Sequence, residues 1–164
     1  RRYLEGLSFT DVLTGLGNRN RYTAALEAVR GAPGSDVGVA FVDINGLKAL
    51  NDRFGHDYGD RLIVKVARIL KTVFEDCVFR TGGDEFCVLM ENANREAQCA
   101  QEFVRQLEQR RKAVDFLPTV SFGSAPFLGE DVLAVKNRAD REMYRYKKAR
   151  KPDAAHYSPN HTLL

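Results

Sequence analysis

The side chains with the most chemistry to offer are acids that border apolar runs. Asp84 and Glu85 follow the Gly82-Gly83 pair in Arg80-Thr-Gly-Gly-Asp-Glu-Phe86, between the apolar runs Cys77–Phe79 and Phe86–Met90. Adjacent glycines supply the positive φ of a tight hairpin, and they let a phosphate or sugar approach the backbone. A hairpin has no need of two consecutive carboxylates; they fit either a solvated turn that carries acids for solubility or hard oxygen ligands of the kind Mg²⁺ takes. Another acid, Asp43, ends the continuous apolar run Val37–Val42, which reads as a buried strand. A carboxylate there is costly unless it is paired or binds a metal. Lys48, Asn51 and Asp60 follow in the same stretch. An acid for metal, an amine for phosphate, and an amide plus an acid for a base edge make up a nucleotide-binding set.

Alternating apolar patterns place these residues on elements. Asn18 is suited to N-cap a helix through about Val29, with Tyr22, Ala25, Leu26 and Val29 at helical spacing. The strand at 37–42 follows, then a short helix from Gly46 that leads to a turn at Gly55–Gly59. A longer helix is predicted from about Asp60, with Leu62, Ile63, Val66, Ile69, Leu70 and Val73 as its buried stripe. Asp60 therefore fits a helix N-cap as well as a base-edge acceptor, and His56 fits a structural turn. The hairpin occupies about 77–90, a further helix about Arg95–Lys112, and a strand falls within Pro118–Pro126. Asp131 caps a last helix whose face carries Val132, Val135, Ala139, Met143 and Tyr146, and Ala154–Tyr157 adds a weak edge strand. Strands and helices interleave around a central hairpin, which predicts a mixed α/β sheet with helices on both faces.

With 164 residues the chain is long enough to bury the core of one domain. No apolar run reaches the length of a membrane span, and no signal peptide is visible. Arg1-Arg2 at the start, with Met90 and Met143 as the only methionines, is expected of a fragment or processed form of a longer protein. The three cysteines, Cys77, Cys87 and Cys99, lack metal-ligand spacing and read as reduced residues of a cytoplasmic domain. A net charge of +3 gives no argument for a nucleic-acid partner. No G-x-x-x-x-G-K-[ST] phosphate loop occurs, and Gly15-Leu-Gly17 lacks the third glycine of a dinucleotide fingerprint.

The motifs, in this order, resemble the GGDEF family of bacterial diguanylate cyclases. The resemblance is carried by Asp11-Val-Leu-Thr-Gly-Leu-Gly-Asn-Arg19, by Asp43–Asp60, by Gly82-Gly-Asp-Glu-Phe86, and by Ala139-Asp140, Met143-Tyr144 and Lys147 near the end. It implies a five-stranded sheet of the nucleotide-cyclase and polymerase-palm type, with residues 1–10 as the end of an N-terminal signalling stalk and 11–164 as the domain. It also implies condensation of two GTP into cyclic di-GMP, with Mg²⁺ or Mn²⁺ as cofactor. Asp43, the carbonyl of Ile44 and Asp84 match the metal-binding positions. Asp84 also matches the residue that activates the attacking hydroxyl, and Glu85 supports the metal site or the sugar. Gly82 and Gly83 make room for nucleotide, Lys48 and Lys147 match phosphate-binding lysines, and Asn51 with Asp60 matches the pair that reads guanine. The expected assembly is a catalytic homodimer beneath an upstream sensor, the isolated fragment being monomeric. Membrane anchoring of the full-length protein is left open. The alternative is a silent domain that binds GTP or cyclic di-GMP to regulate a neighbour.

The chain departs from the family pattern at several places. Asn45 stands where a second Asp is usual, Leu47 where a Phe is, and Thr81 where a Tyr is. Lys151 replaces a phosphate-binding Arg, keeping the charge and losing the bidentate fork. The family's inhibitory Arg-x-x-Asp site reads Val73-Phe-Glu-Asp76 here, so the product-binding Arg is absent and the Asp retained.

Overall fold

A computed structural model describes residues 8–30, 36–113 and 119–127, together with 134, 137, 138 and 141. The elements are α1 (Arg19–Arg30), β1 (Val37–Ile44), α2 (Leu47–Phe54), α3 (His56–Phe74), β2 (Val78–Arg80), β3 (Glu85–Glu91), α4 (Ala93–Ala113) and β4 (Val120–Phe127), with a 3₁₀ turn at Glu75–Cys77. The strands lie side by side in the order β2-β3-β1-β4.

The alternation of side chains across the sheet explains why β1 is apolar throughout. Val37, Val39 and Phe41 face one way with Phe79, Cys87, Leu89 and Ala125, and α1 covers them with Tyr22, Ala25, Leu26 and Val29. Ala40, Val42 and Ile44 face the other way with Phe86, Val88 and Met90. There they meet Ile63, Val66 and Leu70 of α3 and Ala100, Phe103 and Leu107 of α4. A strand buried on both faces has no room for a polar alternation. Asn18 caps α1 as its type predicts, accepting a hydrogen bond from the Arg21 backbone N–H at 3.1 Å.

Two expectations need correction. Among the described residues the sheet has four strands rather than five, and neighbouring strands pair antiparallel throughout rather than in a mixed pattern. The cause is the hairpin: β2 runs in the same direction as β1, but β3 folds back into the gap between them. The weak strand at 154–157 and the last helix after Asp131 lie largely or wholly outside the described residues. Secondly, α3 begins at His56, behind Gly55 at φ 89°, and not near Asp60. Asp60 therefore sits inside the helix and is not its cap. Among the described residues, Cys77, Cys87 and Cys99 form no disulfide.

One ionisable group is buried where α4 crosses the sheet. Glu96 is 1% exposed. A Cβ on Gly38 of β1 would lie 2.5 Å from the Glu96 Cβ, so glycine is what admits this side chain. The Ser124 hydroxyl of β4 is 2.9 and 2.7 Å from its two oxygens. Burial pushes the carboxyl up to about 7, against the lowering effect of the Ser124 hydrogen bond. In the unfolded chain the group ionises near 4.5, so the folded state holds the extra proton between these values and loses stability as pH rises through them. Glu96→Gln removes that penalty. The variant should be more stable than the parent at pH 8 by on the order of 1–3 kcal/mol, with the gap closing by about pH 5. Urea denaturation at the two pH values measures this, and a gap that does not change with pH would contradict it.

Candidate active site

The acids singled out in the sequence meet at one end of the sheet. Asp43 pairs in register with Glu85 of β3 on one side and with Ser121 of β4 on the other. The Ile44 backbone N–H donates to the Asp84 carbonyl at 2.9 Å, which ties the end of β1 to the residue after the glycine pair. Asp43 and Glu85 are half-buried, and Asp84 is exposed. The turn is closed by the N–H groups of Thr81 and Gly82, both directed at the Glu85 carbonyl at 3.0 and 3.3 Å. Neither Gly82 nor Gly83 adopts the left-handed φ expected of them. What they provide is room. Nothing lies within 4 Å of where a Gly83 Cβ would be, and at Gly82 only the Glu85 side chain approaches.

This turn is braced from the N-terminal segment. The Arg80 guanidinium donates to the Gly83 carbonyl at 2.9 Å and reaches both oxygens of Asp11 at 3.2 Å. Arg19 donates to the Thr81 carbonyl at 2.9 Å, and the Arg80 N–H donates to the Gly17 carbonyl at 2.8 Å. Asp11 also accepts from the Thr14 N–H at 2.9 Å and the Thr14 hydroxyl at 2.6 Å. Burial alone would raise the Asp11 carboxyl. The Thr14 hydrogen bonds and the Arg80 charge outweigh it and hold the group below its usual value. Beyond the Asn18 cap of α1, the 11–19 segment thus has a second task in bracing this turn. The available signal was Arg80 itself, a guanidinium at the mouth of a turn that already held two acids.

The nucleotide-binding candidates lie beyond the end of β1, where Gly46 at φ 68° turns the chain directly into α2. Lys48 is exposed on α2, and Asp60 is exposed on α3. A cavity of about 300 Å³ is lined by Leu13, Asp60, Arg61, Val64, Lys65 and Arg68. The Asn51 side chain lies against Gly59, the residue before Asp60, and its Oδ1 is buried without a hydrogen-bond partner. Asn45 points elsewhere. Its Nδ2 donates to Thr119 Oγ1 at 3.2 Å and its Oδ1 accepts from the Ser121 hydroxyl at 2.7 Å, so it ties β1 to β4. Lys147 and Lys151 lie outside the described residues. Among the described residues no three His, Cys, Asp or Glu side chains are gathered to hold a metal ion. The donor set on offer is Asp43 and Asp84 with the Ile44 carbonyl, hard oxygens that suit Mg²⁺, a metal that usually keeps several waters.

The family model described as diguanylate cyclase, GGDEF domain, matches residues 8–152. The chain belongs to the GGDEF family. This GGDEF domain is 34% identical to the cyclic di-GMP phosphodiesterase PdeR of Escherichia coli, over 93% of this chain and 24% of that protein. It is 36% identical to the diguanylate cyclase DgcP of Pseudomonas aeruginosa, over 87% of this chain and 23% of that protein. It thus spans about a quarter of either relative. Among solved structures it resembles the GGDEF domain of DgcB from Caulobacter crescentus in complex with c-di-GMP, at 32% identity and a TM-score of 0.68. That match covers 87% of this chain and 92% of the other. Relatives named for making and for degrading the same messenger share this domain, so their names do not decide its activity. The site residues must.

The brace gives a direct test. Lysine at position 80 keeps the charge but cannot reach the Asp11 carboxylate and the Gly83 carbonyl together. Arg80→Lys should cost about 1–3 kcal/mol of stability in urea unfolding, and the amides of Thr81–Asp84 should exchange hydrogen faster. Unchanged exchange in that turn would show that Arg80 does not hold it.

Proposed function

We propose that this GGDEF domain is a diguanylate cyclase, which condenses two GTP molecules into cyclic di-GMP with release of two pyrophosphates. The observation that carries the reading is the register of Asp43 against Glu85, with the Ile44 N–H on the Asp84 carbonyl, at the end of the sheet beside an open glycine turn. Oxygen donors from two strands converge where a nucleotide backbone has room to enter.

Each domain holds one GTP. Asn51 and Asp60 take the guanine edge, and Lys48, with Lys147 and Lys151, takes the terminal phosphates. Asp43, the Ile44 carbonyl and Asp84 would hold Mg²⁺ or Mn²⁺, which when bound supplies positive charge to the phosphates. The 3′-hydroxyl of one GTP attacks the α-phosphorus of the other, and pyrophosphate leaves. Asp84, with Glu85 beside it, orients that hydroxyl and takes up its proton. Positioning is the main contribution in phosphoryl transfer of this kind. Two domains must therefore face each other, which is the task of a homodimer governed by an upstream sensor. The catalytically silent alternative is separated by one experiment: the chain, dimerised through a fused parallel coiled coil, is incubated with GTP and Mg²⁺. Cyclic di-GMP should accumulate, whereas tight GTP binding without product would establish the silent module. Asp43→Ala and Asp84→Ala should each lower product formation by at least about a hundredfold at unchanged thermal midpoint. Near-parental turnover in either variant would remove that residue from the site.

Feedback by product should be weak. Val73 packs against the core and Asp76 is paired with Lys71 at 2.5 Å, so neither offers the guanidinium that grips a phosphate and stacks on a purine. Loss of one charge-assisted contact costs about 1.5–3 kcal/mol, tenfold or more in affinity. Calorimetry with cyclic di-GMP should find no submicromolar site sensitive to Asp76→Ala. Such a site would mean that another basic residue stands in for the missing arginine.

A further inference from the structure

Gly59 sits within α3, where glycine weakens a helix relative to alanine. Its backbone gives no reason for the choice, because its φ is not left-handed. Its surroundings do. A Cβ at this position would lie 1.7 Å from Oδ1 of Asn51, 2.7 Å from its Cγ and 3.0 Å from its Nδ2. The amide of Asn51, on α2, thus occupies the space that any side chain at 59 would fill. In that seat Oδ1 is buried without a hydrogen-bond partner, which is itself unfavourable. A glycine inside a helix and an orphaned amide oxygen are two local losses at one contact, and neither helps the fold.

We infer that Gly59 is a positioning residue for base selection: by lacking a side chain it seats the Asn51 amide beside Asp60, so that the two address one purine edge together. The inference rests on the guanine-binding role proposed above for Asn51 and Asp60, and does not depend on catalysis. The group in the way of a Cβ is the tip of a side chain and not backbone. Alanine at 59 would therefore swing Asn51 out of its seat while the helices stay packed. The fold tolerates the change and the site does not.

The test is calorimetric titration, with Mg²⁺, of the parent chain, Gly59→Ala, Asn51→Ala and the double variant. The probes are α,β-methylene analogues of GTP and ATP, which cannot react. Gly59→Ala should bind the guanine analogue on the order of tenfold more weakly, leave adenine affinity unchanged, and have a thermal midpoint no lower than the parent's. Once Asn51 is alanine, Gly59→Ala should add no further loss, since the atoms it displaces are gone. Parental affinity in Gly59→Ala, or losses that simply add, would overturn the inference. If Gly59→Ala does not fold, the double variant decides. A folded double variant with the affinity of Asn51→Ala supports the inference, and an unfolded one overturns it. A parent with no preference for the guanine analogue would also sink it while leaving catalysis open. A coupled loss of guanine binding in a chain that makes no cyclic di-GMP would sink only the cyclase reading.

Discussion

The register between β1 and β3 is the constraint on which the rest of the structure depends. Side chains alternate across a strand, so a slip of one residue would exchange the faces of the whole of β1. Val37, Val39 and Phe41 would then turn from α1 towards α3 and α4, and Gly38 would no longer admit Glu96. The same slip would move Asp43 away from Glu85 and part the Ile44 N–H from the Asp84 carbonyl. Core packing and the placement of the acids are therefore one requirement. A β1 apolar on both faces gives the register its energy, and the acids at its end use the position so fixed.

Register alone does not hold the turn. The 81–84 segment has two glycines, so its shape must be imposed from outside, and Arg80 and Arg19 do so through carbonyls. Arg80 is mostly shielded from solvent, as is Asp11, which makes the pair stronger than an exposed ion pair. The same Asp11 folds its own turn through Thr14, and the Gly17 carbonyl receives the Arg80 N–H. The N-terminal segment and the acid-bearing turn thus form one hydrogen-bonded unit. A displacement of residues 11–19 would reach Gly83 through a single guanidinium.

Much of this was legible in the sequence because it follows from patterns of short range. The apolar run ending in Asp43, the stripe of α3 and the hairpin flanking Gly82-Gly83 each carry their own periodicity. The start of α3 was not legible. Asp60 has the side chain of an N-cap, but Gly55 makes the break with a positive φ, and His56–Gly59 then continue as helix. The sheet was misjudged because topology is non-local: the sequence separates β1 from β3, and only the fold places β3 between β1 and β2. The Arg80–Asp11 and Asn51–Gly59 contacts were invisible for related reasons. The first spans a long loop of sequence, and the second is a fit between a side chain and an absence.

The departures from the family pattern gain a physical account from their neighbours. Asn45, in place of an acid, has both ends of its amide engaged by Thr119 and Ser121, the latter fully buried. An ionised carboxylate offers no donor to such a pair, whereas an amide serves one hydroxyl as donor and the other as acceptor. Thr81 is buried against the Cys87 thiol, its Oγ1 3.3 Å from Sγ. Val73 belongs to the core-facing side of α3. In each case the altered residue has become part of the packing. Lys48, Asp60 and Asp84, which match the family, are exposed. Burial gives them no role in holding the fold, and all three belong to the set proposed to bind nucleotide. Asn45, Thr81 and Val73 thus hold the scaffold, while Lys48, Asp60 and Asp84, proposed to meet a ligand, keep their charge.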